Sequence, residues 1–92
     1  MEKVKFINFP SNEPWANGTY ADGYRFEAKL FDEGSIYGID KGRVSKLAIC
    51  APNGKWIVNY DRGWDVRPET EEHERVFKDI LEFLENAPKR FS

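Results

Sequence analysis

Polar and apolar residues alternate through Tyr24-Arg25-Phe26-Glu27-Ala28-Lys29-Leu30. A period of two places Tyr24, Phe26, Ala28 and Leu30 on one face of a strand and the charged residues on the other. Asp22-Gly23 separates this run from the strand-like residues 15–21 and predicts a β-hairpin over residues 15–31. A two-residue turn sets Thr19 against Phe26 and Trp15 against Leu30. A three-residue turn, Ala21-Asp22-Gly23, flips the first strand and sets Gly18 against Phe26.

A second hairpin is predicted over residues 43–62, turning at Asn53-Gly54. With a two-residue turn, Ala51 opposes Trp56, Ile49 opposes Val58 and Leu47 opposes Tyr60, all on one face. On the other face Lys46 opposes Asp61, an opposite-charge pair worth ~0.2–1 kcal/mol. Residues 32–42 carry three glycines and read as an extended loop or a short irregular strand. In the lead-in, residues 1–14, Val4, Phe6 and Ile7 suit a short edge strand, and Pro10 and Pro14 bracket a loop.

The period changes to 3.6 after residue 70. Val76, Phe77, Ile80, Leu81 and Leu84 form an apolar stripe with Phe83 on its flank, which predicts a helix over residues 70–87. Thr70 is a good N-cap, and Glu71, Glu72 and Glu74 put negative charge where the helix dipole favours it. Pro88 stops the helix, with Lys89 and Arg90 just beyond its end. Such a helix is ~27 Å long, about the length of an eight-residue strand. The expected fold is α+β: a four-stranded antiparallel β-meander with one C-terminal helix packed on one face, ββββα. Residues 1–92 form a single domain, with the sheet in 15–62.

Length and composition agree with one thin core. The 92 residues are one domain's worth, and the 15% aromatic content is enough to join one sheet to one helix without disulfides or metal. The net charge of −2, from 14 basic and 16 acidic residues, gives no field that draws the whole domain to nucleic acid or an anionic membrane. A local basic patch keeps nucleic acid open as a partner. The lone Cys50 forms no internal bridge, which suits a reducing cytosol. The first residues lack the apolar run of a signal peptide, and no stretch is apolar enough to span a bilayer, so a cytoplasmic location without membrane contact is expected.

The usual chemical motifs are missing. His73 is the only histidine and falls on the helix; one His and one distant Cys do not make a zinc site. Asp32, Glu33 and Asp40 lack the spacing of a calcium loop, and Gly34, Gly38 and Gly42 lack the Gly-Lys-Ser/Thr that follows a phosphate loop. No two carboxylates must converge. No cofactor, metal or catalytic residue is therefore expected, and the chain reads as non-enzymatic, with an enzyme of unknown chemistry as the remaining alternative.

Hairpin geometry does gather one distinctive set of residues. The 32–42 loop, the end of the strand at Asp61 and the start at Trp15 share one edge of the sheet. That edge holds Trp15, Tyr37, Asp40, Lys41, Arg43, Arg62, Trp64, Asp65 and Arg67. Arg and aromatic residues on loops are the composition of a recognition surface. Tyr37, Arg43, Arg62, Trp64 and Asp65 are the candidate binding residues. Each has a structural alternative: Trp64 as a core plug beneath the helix start, the arginines as partners of nearby aspartates, Tyr37 as a loop anchor.

Tyr24-Arg25-Phe26-Glu27-Ala28-Lys29, Asp32-Glu33-Gly34-Ser35, Tyr37-Gly38-Ile39, Gly42-Arg43-Val44-Ser45-Lys46-Leu47 and Asn59-Tyr60-Asp61-Arg62-Gly63-Trp64-Asp65 together resemble a family of small uncharacterised proteins from Gram-positive bacteria and their phages. The resemblance covers roughly residues 15–66. It implies a bacterial or phage accessory domain and carries over no activity or catalytic residue. The leading expectation is an interaction module that binds an unknown protein partner through the edge formed by 32–42 and 61–67. A single-stranded nucleic-acid-binding accessory is the alternative. A homodimer, through the uncovered sheet face or the edge strand, is a further option.

Overall fold

The alternating run 24–30 is the third of six strands in a computed structural model that describes residues 3–91. Met1 and Glu2, at the head of the lead-in, and Ser92 lie outside the described residues. The strands are β1 (Val4–Asn8), β2 (Trp15–Tyr20), β3 (Tyr24–Leu30), β4 (Val44–Cys50), β5 (Trp56–Asp61) and β6 (Trp64–Val66). They pair antiparallel in the order β1-β2-β3-β4-β5-β6, an unbroken meander. One helix, α1 (Glu71–Glu85), follows and packs on one face. The α+β class and the C-terminal helix agree with the sequence, but the sheet has six strands where four were expected.

The two added strands are the edges. In β1, Val4 opposes Tyr20 and Phe6 opposes Gly18, so the apolar residues at 4 and 6 meet the core face of β2. β6 is only three residues long, with Tyr60 opposite Trp64 and Asn59 opposite Val66. The turn before it is made by Arg62, which adopts φ 57°, and by the Asp61 N–H donating to the Gly63 carbonyl at 2.9 Å. A three-residue strand behind such a turn has too short a pattern to register as alternation.

Both hairpins turn in three residues. Tyr20 opposes Tyr24 and Gly18 opposes Phe26, so the β2–β3 loop is Ala21-Asp22-Gly23, with Asp22 and Gly23 both at positive φ. The expected register of β4 and β5 is kept over Lys46–Asp61, Leu47–Tyr60 and Ile49–Val58. Beyond it the expectation fails. Pro52-Asn53-Gly54 is the loop, closed by the Ala51 N–H on the Lys55 carbonyl at 2.8 Å, and Gly54 supplies φ 88°. Cys50 therefore opposes Trp56, and Ile57 is left as an unpaired bulge residue. Trp56 faces outward rather than opposing Ala51, and Ile57, which strict alternation with Val58 inside would turn outward, is buried in the core.

The helix starts where its N-cap predicts. Thr70 Oγ1 accepts the His73 N–H at 3.0 Å. Val76, Ile80 and Leu84, spaced by four, are buried against Phe26, Leu30, Leu47, Ile49 and Val58. Rings close both margins. Phe6 of β1 lies 4.2 Å from Phe9 and 4.8 Å from Phe83, between centroids, and Trp64 of β6 lies 5.3 Å from Phe77. The 32–42 segment is a loop with a short 3-10 turn (Ile39–Lys41), pinned by the buried Ile39.

Gly18 is the point where β1, β2 and the Phe26 ring come closest. A Cβ there would run into the Lys5 carbonyl oxygen and the edge of the Phe26 ring. Gly18→Ala is expected to lower stability by about 1–3 kcal/mol, as overpacking does. A lower urea midpoint with an unchanged slope would show it.

Candidate functional site

The five candidate residues do not form one surface. Tyr37 and Trp64 converge on Tyr60: the Tyr60 hydroxyl donates to the Tyr37 carbonyl at 2.9 Å, and the Tyr60 and Trp64 rings lie 5.2 Å apart. Trp64 is half-buried on the helix side, with the Arg67 guanidinium 4.9 Å over its ring. Tyr37 keeps its ring exposed, and Asp65 is exposed on the edge strand. Arg62 projects outward from its turn, held only by its backbone N–H on the Ser45 carbonyl and a loose 3.9 Å approach to Asp61.

Arg43 turns to the C-terminal end of the helix. Its Nη1 donates to the Glu85 and Ala87 carbonyls at 2.8 and 2.7 Å, and its Nε donates to the Phe31 carbonyl at 2.8 Å. Its backbone N–H meets both Glu85 carboxylate oxygens. These bonds satisfy carbonyls that a helix end leaves without partners. Arg90 makes a second clamp that sequence reading placed only as a cation beyond the helix. Its guanidinium donates to the carbonyls of Pro10, Trp15, Pro14 and Leu30 at 2.7–3.0 Å. The Asp32 carboxylate accepts the backbone N–H groups of Arg90 and Phe91. Burial lowers the Arg90 pKa from its usual value. Contacts between residues so far apart leave no local signal in a sequence.

The face of the sheet opposite the helix has no element over it among the described residues. Register sorts its side chains into rows. Trp15, Lys29, Lys46 and Asp61 make one row; Asn17, Glu27, Ala48 and Asn59 the next; Thr19, Arg25, Cys50 and Trp56 the third. Trp15 is 37% exposed, Trp56 55% and Ile7 65%. Lys29 and Lys46 stand directly opposite each other, an arrangement that destabilises a sheet. Both ammonium groups lie over the Trp15 ring, 5.7 and 5.4 Å from its centroid, and Lys46 approaches Asp61 at 3.9 Å. A surface depression of about 210 Å³ opens among Trp15, Lys29, Lys46, Asp61 and Arg62. A second, of about 300 Å³, lies between Ile7 and Trp56 over Gly18 and Cys50.

Sequence reading found Trp15 and Arg62 but missed the lysine pair. The signal was present, since Lys29 is the last outward residue of β3 and Lys46 the first of β4. Only the pairing of β3 with β4, shifted by a bulge at Ser45, sets them opposite.

On the helix side, two phenols join sheet to helix. The Tyr20 hydroxyl donates to Asp79 Oδ2 at 2.5 Å, and the Tyr24 hydroxyl donates to Glu72 Oε2. Burial, then the hydrogen bond to Asp79, pushes the Tyr20 pKa up to about 12. For Tyr24 the bond to Glu72 comes first and burial second, with the same result of about 12.

A family model described as "Domain of unknown function (DUF7678)" matches residues 14–85. No curated protein and no solved structure matches the chain.

The two phenols make stability depend on alkaline pH. Each binds its proton more tightly in the folded chain than at the ordinary value of 10.0, so their contribution is complete below about pH 10 and is lost as pH rises toward 12. Urea unfolding from pH 9 to 12 is expected to show this fall, and Tyr20→Phe with Tyr24→Phe should flatten it. An equal slope in the double variant would contradict the assignment.

Proposed function

We propose for this chain, which belongs to the DUF7678 family of domains of unknown function, the role of a small non-enzymatic interaction domain. It binds a protein partner through the uncovered sheet face and the rim beside it. The observation that carries this reading is the row of Trp15, Lys29, Lys46 and Asp61 with Arg62 at its end. Like charges placed face to face lower stability, and departures from local rules of this kind concentrate at functional positions. An exposed Trp and an Arg on a rigid sheet are also the residues that dominate binding energy in protein interfaces.

Arg62 ends this surface at the rim, Tyr37 and Asp65 lie exposed on the loop and edge strand beyond it, and Arg43 and Trp64 fix the helix end and the edge strand. The likeness of residues 15–66 to Gram-positive bacterial and phage proteins favours an accessory role in the cytoplasm. No helix is long and apolar enough to cross a membrane among the described residues. A self-associated pair through the same face is disfavoured by charge, because Lys5, Arg25, Lys29 and Lys46 outweigh Glu27 and Asp61 there and stacking two copies doubles that excess.

Trp15→Ala and Arg62→Ala change exposed side chains and should leave the circular dichroism spectrum intact. Each is expected to weaken a partner co-purified with the tagged chain by about 2 kcal/mol or more, the scale of an interface hot spot. Light scattering should return the monomer mass. A partner set unchanged by both variants would remove this reading.

A further inference from the structure

The two depressions on the sheet face differ in chemistry and are separated by a fixed distance. One is basic on balance, with Lys29, Lys46 and Arg62 around Trp15 against Asp61; the other lies between the apolar Ile7 and Trp56, with Arg25, Glu27 and Cys50 on its floor. The first lies in the first row and the second spans the middle and third rows, up to four residues away along each strand, which is about 13 Å. An extended chain covers the same distance between side chains four residues apart on one side. The middle row, Asn17, Glu27 and Asn59, offers amides and one carboxylate to polar backbone groups.

We infer that the partner is an extended acidic protein segment. It sets an Asp or Glu side chain on Lys29 and Lys46 and an apolar side chain, about four residues away, between Ile7 and Trp56. This rests on the interaction reading above and names the partner's chemistry. Charge complementarity selects the occupant: Lys5, Arg25, Lys29 and Lys46 outweigh Glu27 and Asp61 on this face. The same features disfavour single-stranded nucleic acid. A phosphate at every nucleotide would have to pass over Glu27 in the middle row, and the face of Trp15 that a base would stack on already carries two ammonium groups.

The test is selection of random dodecapeptides displayed on phage against the immobilised full chain, followed by titration of enriched peptides and of an oligo-dT single strand. Enriched peptides should carry Asp or Glu about four residues from Leu, Ile, Phe or Trp. Their binding should weaken with ionic strength and fall about tenfold or more in Lys29→Glu/Lys46→Glu. The Lys29→Gln/Lys46→Gln variant, which keeps the stem packing, should fall in the same direction. Peptides without acidic residues, binding indifferent to both double variants, no enrichment at all, or tighter binding of oligo-dT would each overturn the inference. If such peptides or a co-purified partner still depend on Trp15, the interaction reading survives its loss; if Trp15→Ala changes nothing, both fail together.

Discussion

One fifteen-residue helix has to close the apolar face of a six-stranded sheet. The helix is ~22 Å long and ~10 Å wide with its side chains. The sheet is ~24 Å across between its outer strands. The helix stripe, Val76, Ile80 and Leu84, can seal only the middle of that area. Aromatic rings seal the rest, with Phe6, Phe9 and Phe83 along the β1 margin and Tyr60, Trp64 and Phe77 along the β6 margin. A helix so exposed on its flanks needs fixing at both ends. Tyr24 holds its first turn through Glu72, Tyr20 holds its middle through Asp79, and Arg43 holds its last turn through main-chain carbonyls. Using the one α-helix of the described residues this way leaves the opposite face of the sheet bare among them.

What could be read in the chain beforehand follows from how local each determinant is. The pairing of Leu47 with Tyr60 and Ile49 with Val58 was legible because alternation and charge agree over several residues. Trp56 and Ile57 were misplaced because Asn53-Gly54 is also the signature of a two-residue turn, while here Gly54 closes a three-residue loop and a bulge restores the register two residues later. The helix and its Thr70 cap were legible from spacing alone. The clamp of Arg90 on four carbonyls was not, since it joins residues separated by more than half the chain.

The candidate surface divides in the same way. Gathering Trp15 and Arg62 at one end of the sheet needed only hairpin geometry, and the structure places both beside one depression. Assigning Arg43 and Trp64 to the same surface assumed that residues on one edge face one way. Arg43 turns to the helix end because unpaired carbonyls at Glu85 and Ala87 attract a guanidinium. Trp64 turns inward because β6 pairs with β5 and so inherits its inside and outside from Tyr60.

A net charge of −2 conceals a separation of sign. Helix α1 carries Glu71, Glu72, Glu74, Asp79, Glu82 and Glu85 against Arg75 and Lys78, while lysines and arginines prevail on the bare sheet face. The two sides lie about one sheet and one helix apart, ~10 Å between layer centres, which is near the screening length at moderate salt. A partner near the surface therefore meets whichever side it faces, not the average. An acidic partner is turned away by the helix and drawn to the sheet before any contact forms. The dipole thus selects the orientation of approach, and Trp15, Trp56 and Ile7 then supply the apolar contact that determines how long the partner stays.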